Sequence, residues 1–270
     1  MKKIITSLVL LTVVTLCITG CTRNGDGYPY KTKTFVLVHG AWQAPWVWEA
    51  VKQNLEKNRQ KVIVVELPAH GSDNTSPAEV SMDVYKDKVI AAINSVKEKV
   101  ILVGHSMGGV VVSAVAEAIP GRIDKLVYVG AFVPASGQSL LDLALTDQQS
   151  LLGPNLIPSK DQLTLDIVPN KIIPIFCSDA SADVQQLMLS NYKVEPAIPF
   201  TNKLTLSDEN FGKVDKYYIH TLMDQAIGTD LQNRMVDAAH ITKLYSINTS
   251  HSPFLSRPQE LTGLLLTIGK

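Results

Sequence analysis

The stretch Gly104-His105-Ser106-Met107-Gly108-Gly109 sets one hydroxyl among glycines, directly after the apolar run 100–103 and at the start of a helix-period segment, 107–118. Strand, sharp turn and helix in that order are the context in which a G-x-S-x-G match marks an exposed nucleophile. The turn forces the serine into strained backbone geometry, and Gly104 and Gly108 must lack side chains where strand and helix crowd together. The helix that starts beside Ser106 aims N–H groups at any oxygen gathering charge there. A serine in a Gly-rich turn can instead hold a phosphate. The chain lacks both the lysine of a phosphate-binding loop and a G-x-G-x-x-G fingerprint, which argues against that alternative.

A serine nucleophile needs a base and a carboxylate to orient the base, and for this turn the chain order is serine, acid, histidine. His220, His240 and His251 are the histidines that come late enough. His220 falls inside a strand-like run and His240 at a helix end, which suits structural roles. His251 lies in Asn248-Thr-Ser-His251-Ser-Pro-Phe254, after the last strand-like run and before the last helix, where a loop can carry an imidazole to Ser106. The run from Tyr217 leads into Asp224, which is assigned to accept the imidazole N–H and fix its tautomer. Asp230 competes, but it fits better at the start of the next helix. The loop Gly130-Ala-Phe132-Val-Pro134 offers no acid. The first strand-like run ends in His39-Gly40-Ala41-Trp42, which fits the loop that lends a second N–H to a tetrahedral intermediate. The donors are therefore expected to be the N–H groups of Ala41 and Met107, with His39 buttressing the loop through its side chain.

The elements that must hold these groups alternate. Strand-like runs at 35–38, 62–66, 100–103, 126–129, 217–221 and 243–247 are separated by helix-period segments at 46–56, 82–96, 107–118, 231–239 and 258–268. The pattern predicts an α/β fold with a mainly parallel, doubly wound sheet of about six strands. Alternation fails across about 135–213, where prolines are scattered among mixed helical signals. That segment is expected to be a helical cap over the carboxyl edge of the sheet, where open α/β sheets bind ligands. The hydrolase domain is accordingly 34–270.

With Lys plus Arg and Asp plus Glu both at 25, no basic field exists to gather nucleic acid, and a small-molecule partner is expected. Met1-Lys2-Lys3 precedes an apolar run that ends in Ile18-Thr19-Gly20-Cys21, the layout of a signal peptide over 1–20, shorter than the ~20 apolar residues of a membrane span. The tetrapeptide resembles a bacterial lipobox. It implies lipidation at Cys21, a tether over 21–33, and a lipid-anchored protein of the bacterial cell envelope, preferably at the outer membrane because Thr22 follows the cysteine. The anchor would be the sole membrane contact. Cys177 would then remain the one cysteine of the domain, so an intramolecular disulfide is not expected. The sequence does not address oligomeric state.

Taken together, His39-Gly-Ala-Trp42, Trp46 with Trp48, Gly104-His-Ser-Met-Gly-Gly109, Tyr218-Ile with Asp224 and Ile227, and His251-Ser-Pro-Phe254 with Pro258 resemble the plant methylesterase and hydroxynitrile lyase branch of the α/β-hydrolase fold, and its bacterial esterase relatives. Phe176-Cys-Ser-Asp-Ala-Ser181 and Pro196-Ala-Ile-Pro-Phe200 resemble that branch's cap. The resemblance implies hydrolysis of small esters in a largely apolar pocket, with Ser106, Asp224 and His251 as triad and Ala41 and Met107 as oxyanion donors. Lyases of this branch carry a lysine after the histidine and a hydroxyl-bearing residue in the first loop. Ser252 and Gly40 stand at those positions, which demotes cyanohydrin cleavage. Gly40, Trp42, Phe132 and Phe176 are expected in the substrate pocket, and the chemistry requires no metal or organic cofactor. Two alternatives stay open: a lactonase, thioesterase or amidase with the same triad, and a non-catalytic surface lipoprotein that binds an apolar ligand.

Overall fold

A computed structural model of the chain describes residues 31–270. The signal-peptide segment, Cys21 and most of the tether lie outside the described residues.

Six strands form one parallel sheet in the order β2-β1-β3-β4-β8-β9. They are β1 (Thr34–Val38), β2 (Lys61–Val65), β3 (Val100–His105), β4 (Ile123–Val129), β8 (Lys216–Thr221) and β9 (Lys243–Ile247). Helices α1 (Glu49–Lys57), α2 (Met82–Asn94), α3 (Gly108–Ala118), α8 (Thr229–Ala238) and α10 (Pro258–Ile268) cover the two faces, and the short α9 (Pro253–Ser256) precedes the last. Side chains alternate across a strand, and β1 shows the result: Phe35 and Leu37 join the core under α1 and α10, while Val36 and Val38 join the core under α2, α3 and α8. All four are fully buried. A strand covered on both faces must be apolar throughout, so these segments read as unbroken runs. At about 1.5–3 kcal/mol for each buried aliphatic side chain, the central strands are the main source of rigidity behind the site.

Topology decides where the site lies. From β1 the chain passes through α1 to β2 on one side, then returns through α2 to β3 on the other. The carboxyl ends of β1 and β3 therefore diverge into different loops and leave a crevice between them. Register places Val38 opposite Gly104, so the loops after β1 and β3 emerge side by side.

Between β4 and β8 the chain leaves the sheet. This cap contains α4 (Leu140–Ala144), α5 (Ile172–Phe176), α6 (Ala182–Ser190) and α7 (Ile198–Thr201). It also contains an antiparallel sheet of β5 (Leu156–Pro158), β6 (Thr164–Ile167) and β7 (Glu195–Pro196). The cap is thus helical in part only. Strands of two to four residues, two of them carrying a proline, are too short to show a period in sequence.

Candidate active site

Ser106 occupies the turn between β3 and α3 with φ +54°, a left-handed conformation that non-glycine residues rarely adopt. Its carbonyl accepts from the N–H groups of Gly109 (3.0 Å) and Phe132 (3.1 Å), which fasten the turn to α3 and to the loop after β4. The glycines are required by close approach. A Cβ on Gly104 would lie 2.6 Å from the Gly108 carbonyl oxygen, one on Gly108 2.8 Å from the His39 carbonyl oxygen, and one on Gly109 2.3 Å from the Phe132 carbonyl oxygen. Gly40 serves the same purpose from β1, since a Cβ there would stand 2.7 Å from the Ser106 Cβ.

Asp224 follows β8 and His251 follows β9, and two backbone bonds tie their loops together: Leu222 N–H to the Ile247 carbonyl (3.0 Å) and Met223 N–H to the Thr249 carbonyl (2.9 Å). His251 Nδ1 donates to Asp224 Oδ2 at 2.8 Å, with both side chains buried. The other demands of the carboxylate are met by Thr221 Oγ1 on Oδ2 (2.7 Å) and by the Ala226 and Ile227 N–H groups on Oδ1 (2.8 and 2.9 Å). Gly130, at φ +45°, clears space for this acid, because a Cβ there would come within 3.3 Å of Oδ2. The Nδ1 bond leaves Nε2 as the basic nitrogen of His251. That atom is buried with no hydrogen-bond partner among the described residues.

His105, immediately before Ser106, ties His251 to the turn. Its Nε2 donates to the His251 carbonyl at 2.8 Å, and the two rings lie 4.5 Å apart. Burial, then the neighbouring His251, holds the His105 pKa well below the ordinary histidine range, so it acts as a neutral strut. His39 is the corresponding strut of the first loop. Its Nδ1 donates to the Gly40 carbonyl (2.9 Å) and its Nε2 accepts from the Leu67 N–H (3.3 Å). Burial, then the charge of His70, lowers its pKa to about 3. His220 bonds the Tyr245 carbonyl within the sheet, and His240 closes α8 at φ +51°. Neither joins the site.

Ala41, Ser106 and Met107 line one cavity of about 590 Å³, with Trp42, Phe132, Leu165 and Phe200 among its other walls. Phe132 and Trp42 were expected there, whereas Gly40 and Phe176 do not line it. Gly40 is consumed by its contact with the serine turn. Phe176 lies behind the wall, its ring 5.7 Å from those of both Trp42 and His251. Cys177 is free and buried, and burial followed by the nearby Asp179 pushes its thiol up to about 12, which makes it a poor nucleophile. Among the described residues no cluster of three or more His, Cys, Asp or Glu side chains is placed to hold a metal ion.

Sequence reasoning passed over His70 and Glu195. The two form an ion pair at 2.7 Å, almost fully enclosed, and Glu195 also accepts the Trp42 N–H at 2.7 Å. A glutamate between Val194 and Pro196 in an otherwise apolar stretch was the available signal, since a carboxylate is rarely buried unless paired.

A serine in a strained strand-to-helix turn at a parallel sheet's carboxyl edge, whose chain neighbour His105 is bonded to a histidine anchored on a buried aspartate, defines a class of α/β architecture. The sequence matches the alpha/beta hydrolase family over residues 35–263, and the chain belongs to that family. It is similar to the putative chloroplastic methylesterase 11 of Arabidopsis thaliana, 33% identical over 257 residues that cover 89% of this chain and 65% of the relative. It is also similar to methylesterase 7 of the same plant, 30% identical, covering 87% of this chain and 96% of that protein. The chain thus spans less than two thirds of methylesterase 11 and of a second such relative, of which it covers 57%. Polyneuridine aldehyde esterase shares the fold with a TM-score of 0.77 at 24% identity, covering 89% of this chain and all of that one.

These relatives overturn the expected location in the bacterial cell envelope. They are plant proteins, some named as chloroplastic, and not bacterial lipoproteins. Among the described residues no helix is long and apolar enough to cross a membrane.

Proposed function

We propose that this chain is a carboxylic-ester hydrolase working through an acyl-enzyme on Ser106. The observation that carries the proposal is the buried Asp224–His251 bond, which leaves His251 Nε2 unpartnered while His105, next in the chain to the strained serine, holds the His251 carbonyl. In this reading Nε2 takes the Ser106 proton as Oγ attacks the ester carbonyl carbon. The Ala41 and Met107 N–H groups, neither engaged by another group among the described residues, stabilise the oxyanion. The imidazolium then protonates the departing alkoxide, the alcohol leaves, and an acyl ester remains on Ser106. His251 next deprotonates a water that attacks this ester, and collapse returns the proton to Ser106 and frees the carboxylic acid.

The mainly apolar cavity suits small-to-medium acyl or aryl groups. The methylesterase names of the relatives agree with an alkyl ester whose alcohol is small. The test is p-nitrophenyl ester hydrolysis across acyl lengths by the purified chain, with Ser106→Ala and His251→Ala. The expected result is activity led by short-to-medium acyl chains and abolished by either substitution. A folded but inert wild type, or an active Ser106→Ala, would refute it. Lactone, thioester and amide substrates run in parallel show whether the leaving group departs from the ester class.

A further inference from the structure

The Ala41 N–H is useful as an oxyanion donor only if the loop holds it at one angle, and the structure shows what holds it. Peptide units are planar and trans, so fixing a carbonyl fixes the direction of the N–H across the bond. His39 Nδ1 holds the Gly40 carbonyl at 2.9 Å and thereby directs the Ala41 N–H the other way. The next peptide unit is held by its N–H: Trp42 donates to Glu195 Oε2 at 2.7 Å. Both planes flanking the Ala41 Cα are thus tied to side chains. Trp42 itself sits at φ +58°, a strained conformation that surrounding contacts must maintain.

Glu195 does not belong to the sheet that carries the serine. It lies in β7 of the cap, paired with Leu165 of β6, and the Leu165 carbonyl accepts the Trp42 indole N–H at 2.9 Å. The cap therefore grips Trp42 by both its backbone and its side chain. The carboxylate has no exposure, and His70 supplies its counter-charge at 2.7 Å while the Tyr85 hydroxyl reaches Oε1 at 3.4 Å. His70 is held in turn through Nδ1 by the Pro68 carbonyl (3.0 Å). Burial works against charge on His70, but the Glu195 carboxylate and its hydrogen bond raise the pKa from its ordinary value.

From these contacts we infer that Glu195, braced by His70, is a positioning residue for the oxyanion donor at Ala41, so that the cap takes part in catalysis as well as enclosing the pocket. The inference rests on the ester-hydrolase reading of the site. It separates from a simple cap staple by what it moves. A staple affects stability and substrate binding, whereas a misaligned donor weakens the transition state and leaves the ground state nearly untouched.

The experiment measures kcat and KM on p-nitrophenyl butyrate, and inhibition by an alkyl trifluoromethyl ketone that forms a tetrahedral adduct on serine. The proteins are wild type, Glu195→Ala, Glu195→Gln and the double variant Glu195→Leu with His70→Leu. The double variant strands no buried charge and so guards against a Glu195→Ala that fails to fold. Loss of alignment costs ~10²-fold, so Glu195→Ala and the double variant are expected to lose about that factor in kcat with KM within about threefold. Ketone affinity should fall in parallel, and Glu195→Gln, which keeps an oxygen for the Trp42 N–H, should recover about tenfold. A folded Glu195→Ala or double variant with kcat within about threefold of wild type overturns the inference. So does a loss expressed in KM alone, or failure of every variant to fold, which would mark the pair as a staple. An inert wild type overturns the hydrolase reading and this inference with it, whereas an active wild type with unaffected variants overturns the inference alone.

Discussion

Asp224→Asn is the substitution whose effect can be worked furthest from the geometry. The aspartate accepts four hydrogen bonds, with Oδ1 taking the Ala226 and Ile227 N–H groups and Oδ2 taking Thr221 Oγ1 and His251 Nδ1. An asparagine has one acceptor oxygen, and only that oxygen can satisfy the two backbone donors at the Oδ1 position. Its NH2 must then occupy the Oδ2 position, where Thr221 can turn its hydroxyl to accept. His251 cannot adapt so easily. Faced by a donor, its Nδ1 must become an acceptor, which moves the proton to Nε2 and removes the lone pair that should take the Ser106 proton. A wrong tautomer in such a triad lowers kcat by ~10⁴, about 5 kcal/mol of barrier at about 1.4 kcal/mol per factor of ten. Because every backbone bond to the residue survives, the thermal midpoint should drop by no more than a few degrees. The assay is ester turnover beside a thermal melt. A folded variant that keeps more than a tenth of the wild-type kcat would refute the assignment of Asp224 as the residue that sets the His251 tautomer.

Gly109→Ala, which drives a Cβ to 2.3 Å from the Phe132 carbonyl oxygen, is expected to cost about 2–3 kcal/mol, read as a lower midpoint in urea. Gly121→Ala meets nothing within 4 Å and should leave that midpoint unchanged within about 0.5 kcal/mol. Cys177, with a thiol pushed up to about 12 by burial, should resist a chromogenic disulfide reagent at pH 8 in the native protein and react fully after unfolding; rapid native labelling would contradict its enclosure. His39 has a folded pKa near 3 against an ordinary 6.5, so the unfolded state takes up its proton first as pH falls. Its stabilising effect is present above pH 6.5 and is lost between there and about 3, amounting to about 3 kcal/mol by pH 4.5. Urea unfolding of His39→Asn at pH 7 and 4.5 should show a correspondingly shallower loss than wild type.

The parts of the fold that were legible in sequence are those in which one short segment carries its own signal. The central strands β1 and β3 are buried along their whole length and read as apolar runs, whereas the edge strands β2 and β9 are largely exposed or half-buried. The serine turn declares itself through glycines that steric crowding demands. Chain order and their places after β8 and β9 singled out Asp224 and His251, which the structure joins by a hydrogen bond. What escaped depends on partners far apart in the chain. The cap strands exist because β6 pairs on both sides, a relation that none of the three short segments displays alone. Glu195 and His70 are separated by 125 residues, so even the apolar surroundings of Glu195 do not name its partner. Phe176 was expected in the pocket because an aromatic in the cap suits an apolar ligand, yet it backs Trp42 and the His251 ring instead.

The attachment of Trp42 to the cap has an optical consequence. Its indole N–H is bonded to the Leu165 carbonyl, and its ring packs on Phe176 and Phe200 at 5.7 Å each. Trp46 and Trp48 have buried N–H groups with no partner among the described residues, and Trp48 packs on Phe254 in the core under α1 and α10. Of the three indoles in the chain, Trp42 is the one whose N–H is bonded to the cap among the described residues. Intrinsic fluorescence excited at the indole band thus becomes a label-free gauge of cap engagement, readable on the timescale of a stopped-flow mixing experiment.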